Sequence, residues 1–128
     1  MTPTVCQVKH DPPNTYGDCL RACICTVLDL DPPAVPHFVR DNPDSDTLIA
    51  RLRTYLAGRS MQPMWVMFGG SQSDVLDHMG EINGTVTYLL FNDKHVVVCK
   101  GGKVEHDPAW DARPMSEPAN GIWKVMVL

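Results

Sequence analysis

Residues 85–108 read TVTYLLFNDKHVVVCKGGKVEHDP, and this stretch decides the fold. Thr85 to Phe91 is rich in β-branched and aromatic residues, which favour a pleated strand. His95 to Cys99 is a near-continuous apolar run, the pattern of a buried strand. Gly101-Gly102 is a hairpin signal, because tight two-residue turns need backbone conformations that glycine adopts freely. It leads into a partner strand over Lys103 to His106. Ile122 to Leu128 supplies a last strand.

Upstream the periodicity is helical. Leu20, Cys23, Ile24, Val27 and Leu28 recur on one face, with Asp18 as the expected N-cap after the turn residue Gly17 and a stop before Pro32-Pro33. A second helix is predicted over Thr47 to Leu56, begun by Asp44 or Ser45 and ended by Gly58. A strand fits Met64 to Phe68, and a short helix fits Ser73 to Met79, closed by Gly80. Helices first and an antiparallel sheet after them make the class α+β.

The 128 residues, 44% apolar and 20% charged, suit one domain spanning 1–128, with no repeat or composition shift to mark a second. With 11 Lys and Arg against 15 Asp and Glu, the net charge of -4 excludes the basic footprint that nucleic acids or anionic membranes require. Apolar runs such as Tyr88 to Phe91 fall far short of the ~20 residues of a membrane span. Met1-Thr2-Pro3-Thr4 carries neither a basic region nor an apolar stretch, so the cytoplasm is the expected compartment. The odd set Cys6, Cys19, Cys23, Cys25 and Cys99 reads as free thiols in a reducing compartment. Structural zinc uses paired ligands at short spacing, and Cys23 with Cys25 has no second pair, so neither a metal nor another cofactor is expected.

Three residues stand out against the template of cysteine nucleophile chemistry. Cys19 falls at a predicted helix start, where the helix dipole and unpaired backbone N–H groups lower a thiol pKa and can donate to an oxyanion. His95 opens a buried strand after the loop Asn92-Asp93-Lys94, placed to serve as base. Asp107 lies on the returning strand, placed to hold the imidazole tautomer. His106 is the rival base, expected to point away from Cys19, and His37 reads as a residue closing a turn. Trp110 follows Asp107-Pro108 closely enough to line a substrate cleft. Register tests the trio. A two-residue turn at Gly101-Gly102 pairs Lys100 with Lys103 and sends His95 and Asp107 to opposite faces. One extra residue in the loop, or a bulge, sets Val97 against Asp107 and restores a shared face. The catalytic reading therefore requires the longer loop.

The segments Cys6-Gln7, Gly17-Asp18-Cys19-Leu20-Arg21-Ala22-Cys23, Val35-Pro36-His37-Phe38, His95-Val96-Val97-Val98 and His106-Asp107-Pro108 together resemble the small papain-like cysteine peptidase-related proteins of bacteriophage genomes. These are similar to the bacteriocin-processing double-glycine peptidases. The resemblance implies a papain-like fold, with the nucleophile on the N-terminal helix packed against an antiparallel sheet. It also implies an upstream glutamine as oxyanion donor, which matches Gln7. Residues 41–84 match nothing in that pattern. The double-glycine peptidases commonly carry glycine and proline just after the nucleophile, where this chain has Leu20 and Arg21, so their substrate does not carry over.

The expected function is a cysteine-dependent hydrolase of an amide or isopeptide bond, with acyl transfer and deamidation open to the same residues. Its partner would be a protein or peptide substrate, a host protein included, met in the host cytoplasm. The competing expectation is a non-catalytic binding protein on the same scaffold, occupying a host defence protein or a small signalling ligand.

Overall fold

A computed structural model describes residues 1–110 and 114–128 of the chain. Helix α1 spans Cys19–Leu28, α2 Ser45–Ala57 and α3 Gln72–Ile82. Strands are β1 (Met64–Gly69), β2 (Thr87–Phe91), β3 (Val96–Lys100), β4 (Lys103–His106) and β5 (Ile122–Val127). They form one sheet in the order β1-β5-β2-β3-β4, with every neighbouring pair antiparallel. The class is α+β. Among the described residues no helix is long and apolar enough to cross a membrane.

The apolar runs of the central strands are continuous because both faces are covered. Leu89, Val96, Val98 and Met126 pack with Leu20, Cys23 and Ile24 of α1, Leu52 of α2, and the connecting Val35 and Phe38. The alternate residues Tyr88, Leu90, Val97, Cys99, Trp123 and Val125 pack with Val75 and Met79 of α3 on the other face. Period-two alternation thus distributes one apolar run between two cores. All five cysteines are free.

Three expectations are corrected. The β3–β4 connection keeps the two-residue Gly101-Gly102 turn, with Lys100 opposite Lys103 and Gly101 at φ +57°, so the loop is not longer. The register instead slips between Val98 and Cys99: Cys99 pairs Val104 while Val98 pairs His106, leaving Glu105 as the extra residue of a bulge. Continuing that register sets Val97 level with Asp107, on the side of His95. Second, Gly80 does not close α3, which runs on to Ile82 with Asn83 as its C-cap. A β-carbon at Gly80 would stand 3.2 Å from the Gly102 Cα, so glycine is there for the close approach of helix and hairpin. Third, Asp18 occupies the N-cap position of α1, but its side chain caps nothing.

Candidate active site

The buried Asp18 carboxylate caps no backbone N–H of its own helix. Its Oδ1 accepts from the backbone N–H groups of Gln7 and Val8, each at 2.9 Å, and its Oδ2 accepts from Arg21 Nε at 3.0 Å and Nη2 at 2.7 Å. Four charge-assisted bonds satisfy a carboxylate that would otherwise be costly to bury. The first turn of α1, beginning at Cys19, is left without a side-chain cap. Its free N–H groups and the positive end of the helix dipole lie beside the Cys19 thiol.

The Asp18 bonds also fasten an N-terminal strap, residues 2–8, across α1 and the end of the hairpin. Thr2 N–H donates to Asp29 Oδ1 at 2.7 Å and Thr4 N–H to Thr26 Oγ1 at 3.0 Å. His106 Nε2 donates to the Thr4 carbonyl at 2.7 Å, and Cys6 N–H donates to the Pro108 carbonyl at 2.9 Å. The Trp110 indole N–H donates to the Cys6 carbonyl at 2.7 Å. Held in this way, Cys6 is buried, and its Sγ lies 3.0 Å from Cys19 Sγ.

His95 sits one residue before β3, its backbone fixed by Asn92, whose Oδ1 accepts from the N–H groups of Lys94 at 2.8 Å and His95 at 2.6 Å. Its Nε2 meets Asp107 Oδ1 at 2.7 Å, with the two side chains 21% and 15% exposed. The same oxygen accepts from Ala109 N–H at 3.0 Å, which fixes the carboxylate against the Asp107-Pro108 turn. A carboxylate only accepts, so Nε2 carries the hydrogen and Nδ1 is the nitrogen left for Cys19. The bulge at Glu105 is what makes this pair.

The electrostatics follow from these contacts. The hydrogen bond from Cys6 is the largest influence on Cys19; with the hydrogen bond and charge of His95, it outweighs burial and the nearby Asp107 and holds the thiol down at about 5. Cys6 moves the other way, well above an ordinary thiol, because its proton is shared with the Cys19 sulfur and its surroundings are buried. Burial works against a charged His95, but bonds to Cys19 and Asp107 prevail and raise it to about 9. Between these limits the site holds a thiolate beside an imidazolium, with Cys6 keeping its proton. Cys23 and Cys99 sit in the cores, where burial pushes both thiols up and leaves them inert.

The residues singled out from the sequence are placed as follows. Asp107 meets His95 at 2.7 Å, and His95 lies near enough to Cys19 for its hydrogen bond and charge to act on the thiol. The Gln7 side chain is exposed, and its amide donates to the Val5 carbonyl at 3.0 Å. Trp110 is 60% exposed and lies against Cys6. His37 Nε2 donates to the Tyr16 carbonyl at 2.7 Å, closing the approach to α1. Cys6 and the strap have no local signature: their partners lie between 10 and 104 residues away in the chain. A shallow hollow of about 900 Å³ along α2 and a smaller one of about 460 Å³ near Tyr16, Arg21 and Arg40 are not lined by Cys19, His95 or Asp107. Among the described residues no three His, Cys, Asp or Glu side chains gather to hold a metal ion. No protein-family model, curated protein or solved structure matches this chain.

Proposed function

We propose that this protein is a thiol hydrolase of amide or isopeptide bonds, built on a papain-like scaffold and acting on a protein or peptide in the cytoplasm. The observation that carries the reading is the Cys19 thiol, held down at about 5 at an uncapped helix start beside the His95–Asp107 pair. Cys19 Sγ attacks the carbonyl, and the free N–H groups of the first turn of α1 receive the developing oxyanion. The His95 imidazolium gives its proton to the departing amine. Neutral His95 then takes a proton from the water that resolves the acyl-enzyme, while Asp107 holds the ring and stabilises its charge. Gln7 would join the oxyanion site by releasing the Val5 carbonyl. Trp110, exposed beside Cys6, would form one wall for the substrate. An α-helix of the N-terminal segment packed on an antiparallel sheet is compatible with the papain-like scaffold.

The test is an activity-based probe with a carbonyl electrophile, compared between the native protein and Cys19→Ala. Stoichiometric labelling of the native protein alone supports the hydrolase. Equal labelling of the two, or none in either, overturns it in favour of a binding module.

A further inference from the structure

We propose that Cys6 and Cys19 are a peroxide-responsive thiol pair, in which a hydroperoxide oxidises Cys19 and Cys6 resolves it to an intramolecular disulfide. The geometry points to this pairing. The two Sγ atoms are 3.0 Å apart, one half-buried on α1 and the other buried on a strap fastened at residues 2, 4, 6, 7 and 8. A disulfide needs its sulfurs at ~2.05 Å, so closure asks for a shift of about 1 Å. The other three thiols are enclosed in or beside the α1 and α3 cores, with Cys23 Sγ turned to the Val96 carbonyl at 3.5 Å.

The chemistry balances with groups already present. The Cys19 thiolate attacks the terminal oxygen of the hydroperoxide; an S–O bond forms, the O–O bond breaks, and sulfur is oxidised by two electrons. The departing alkoxide or hydroxide takes the proton of the His95 imidazolium. Cys6 sulfur then attacks the Cys19 sulfenic acid, an S–S bond forms, and the hydroxyl leaves as water with the Cys6 proton. The first step prepares the second. What holds the proton on Cys6 is chiefly the anionic Cys19 sulfur, and a neutral sulfenic acid no longer does so. The disulfide removes the nucleophile, protects it from irreversible oxidation, and is reversed by a dithiol.

This inference shares with the proposed function its premise of a reactive Cys19 thiolate, but not the hydrolytic step. It is tested on the full-length native protein with stoichiometric hydrogen peroxide, then alkylation and non-reducing tryptic mass spectrometry. Cleavage after Lys9 and Arg21 separates the Cys6 peptide, the Cys19 peptide and the peptide holding Cys23 and Cys25. The expected product is a Cys6–Cys19 cross-link that dithiothreitol dissolves. In Cys6→Ser or Cys6→Ala, dimedone should trap sulfenic acid at Cys19 at least tenfold more than in the native protein. Native protein that alkylates at Cys19 normally at pH 6 yet yields sulfenic or sulfinic acid without the cross-link overturns this inference alone. A Cys19 inert to both reagents overturns it together with the hydrolase reading.

Discussion

At the start of α3, Ser71 Oγ accepts from Asp74 N–H at 3.1 Å and Asp74 Oδ2 accepts from Ser71 N–H at 2.9 Å, a reciprocal capping box that closes the helix end. At the start of α1 an aspartate stands in the same position, yet its carboxylate is bonded to the strap and to Arg21, and the first-turn N–H groups stay open. One helix end is finished locally by residues three apart. The other is left unfinished, its aspartate diverted to a segment ten and eleven residues upstream. The difference separates a structural terminus from one arranged to hold negative charge: capping is worth about 1 kcal/mol, and α1 forgoes it where a thiolate needs the donors.

The contrast can be broken from the α1 side first. Asp18→Ala leaves the half-buried N–H groups of Gln7 and Val8 and the Arg21 guanidinium without their acceptor, and unfolding by urea should show a loss of about 3 kcal/mol. The loosened strap should also withdraw Cys6 and slow Cys19 alkylation; a variant as stable and reactive as the native protein would contradict the account. His95→Ala should follow, with Cys19 alkylation at pH 6 falling by on the order of ten- to a hundredfold, since Cys6 still donates to the sulfur. Asp107→Asn should lower turnover on the order of tenfold with the fold intact, because it acts through the charge and orientation of His95. NMR titration of His95 should show its pKa fall from about 9 towards the ordinary value. Smallest is Ser71→Ala. It should cost about 1 kcal/mol in the same urea experiment and leave Cys19 reactivity untouched. A change in reactivity there would erase the distinction between the two helix ends.

What the sequence made legible follows the range of the interactions. The α1 face, the buried β3 run and the Gly-Gly hairpin are written in spacing over a few residues, and each lies within a residue or two of its expected bounds. Gly80 reads locally as a helix stop, but its role is set by Gly102, twenty-two residues away and across a packing interface. The bulge at Glu105 has no glycine to announce it, so the spacing shows that a bulge or a longer loop must shift the register but not which of the two does. Asp18 looked like an ordinary cap, since the backbone that competes for its carboxylate comes from outside the helix. Cys6 is the clearest case. A cysteine in an extended N-terminal segment carries no mark until folding sets it against Cys19.

The central claim is that Cys19 is a thiolate paired with a protonated His95. It is tested most directly by the rate of iodoacetamide alkylation of Cys19 from pH 4 to pH 10. A group whose pKa is lowered keeps its charge above the new value, so the rate should rise through about pH 5 and hold level through pH 8. The proposed hydrolysis, which would also need the His95 proton, should fall as pH passes about 9 while alkylation persists. An alkylation rate that stays low at pH 6 and climbs only above pH 8 would mark Cys19 as an ordinary thiol and contradict the account.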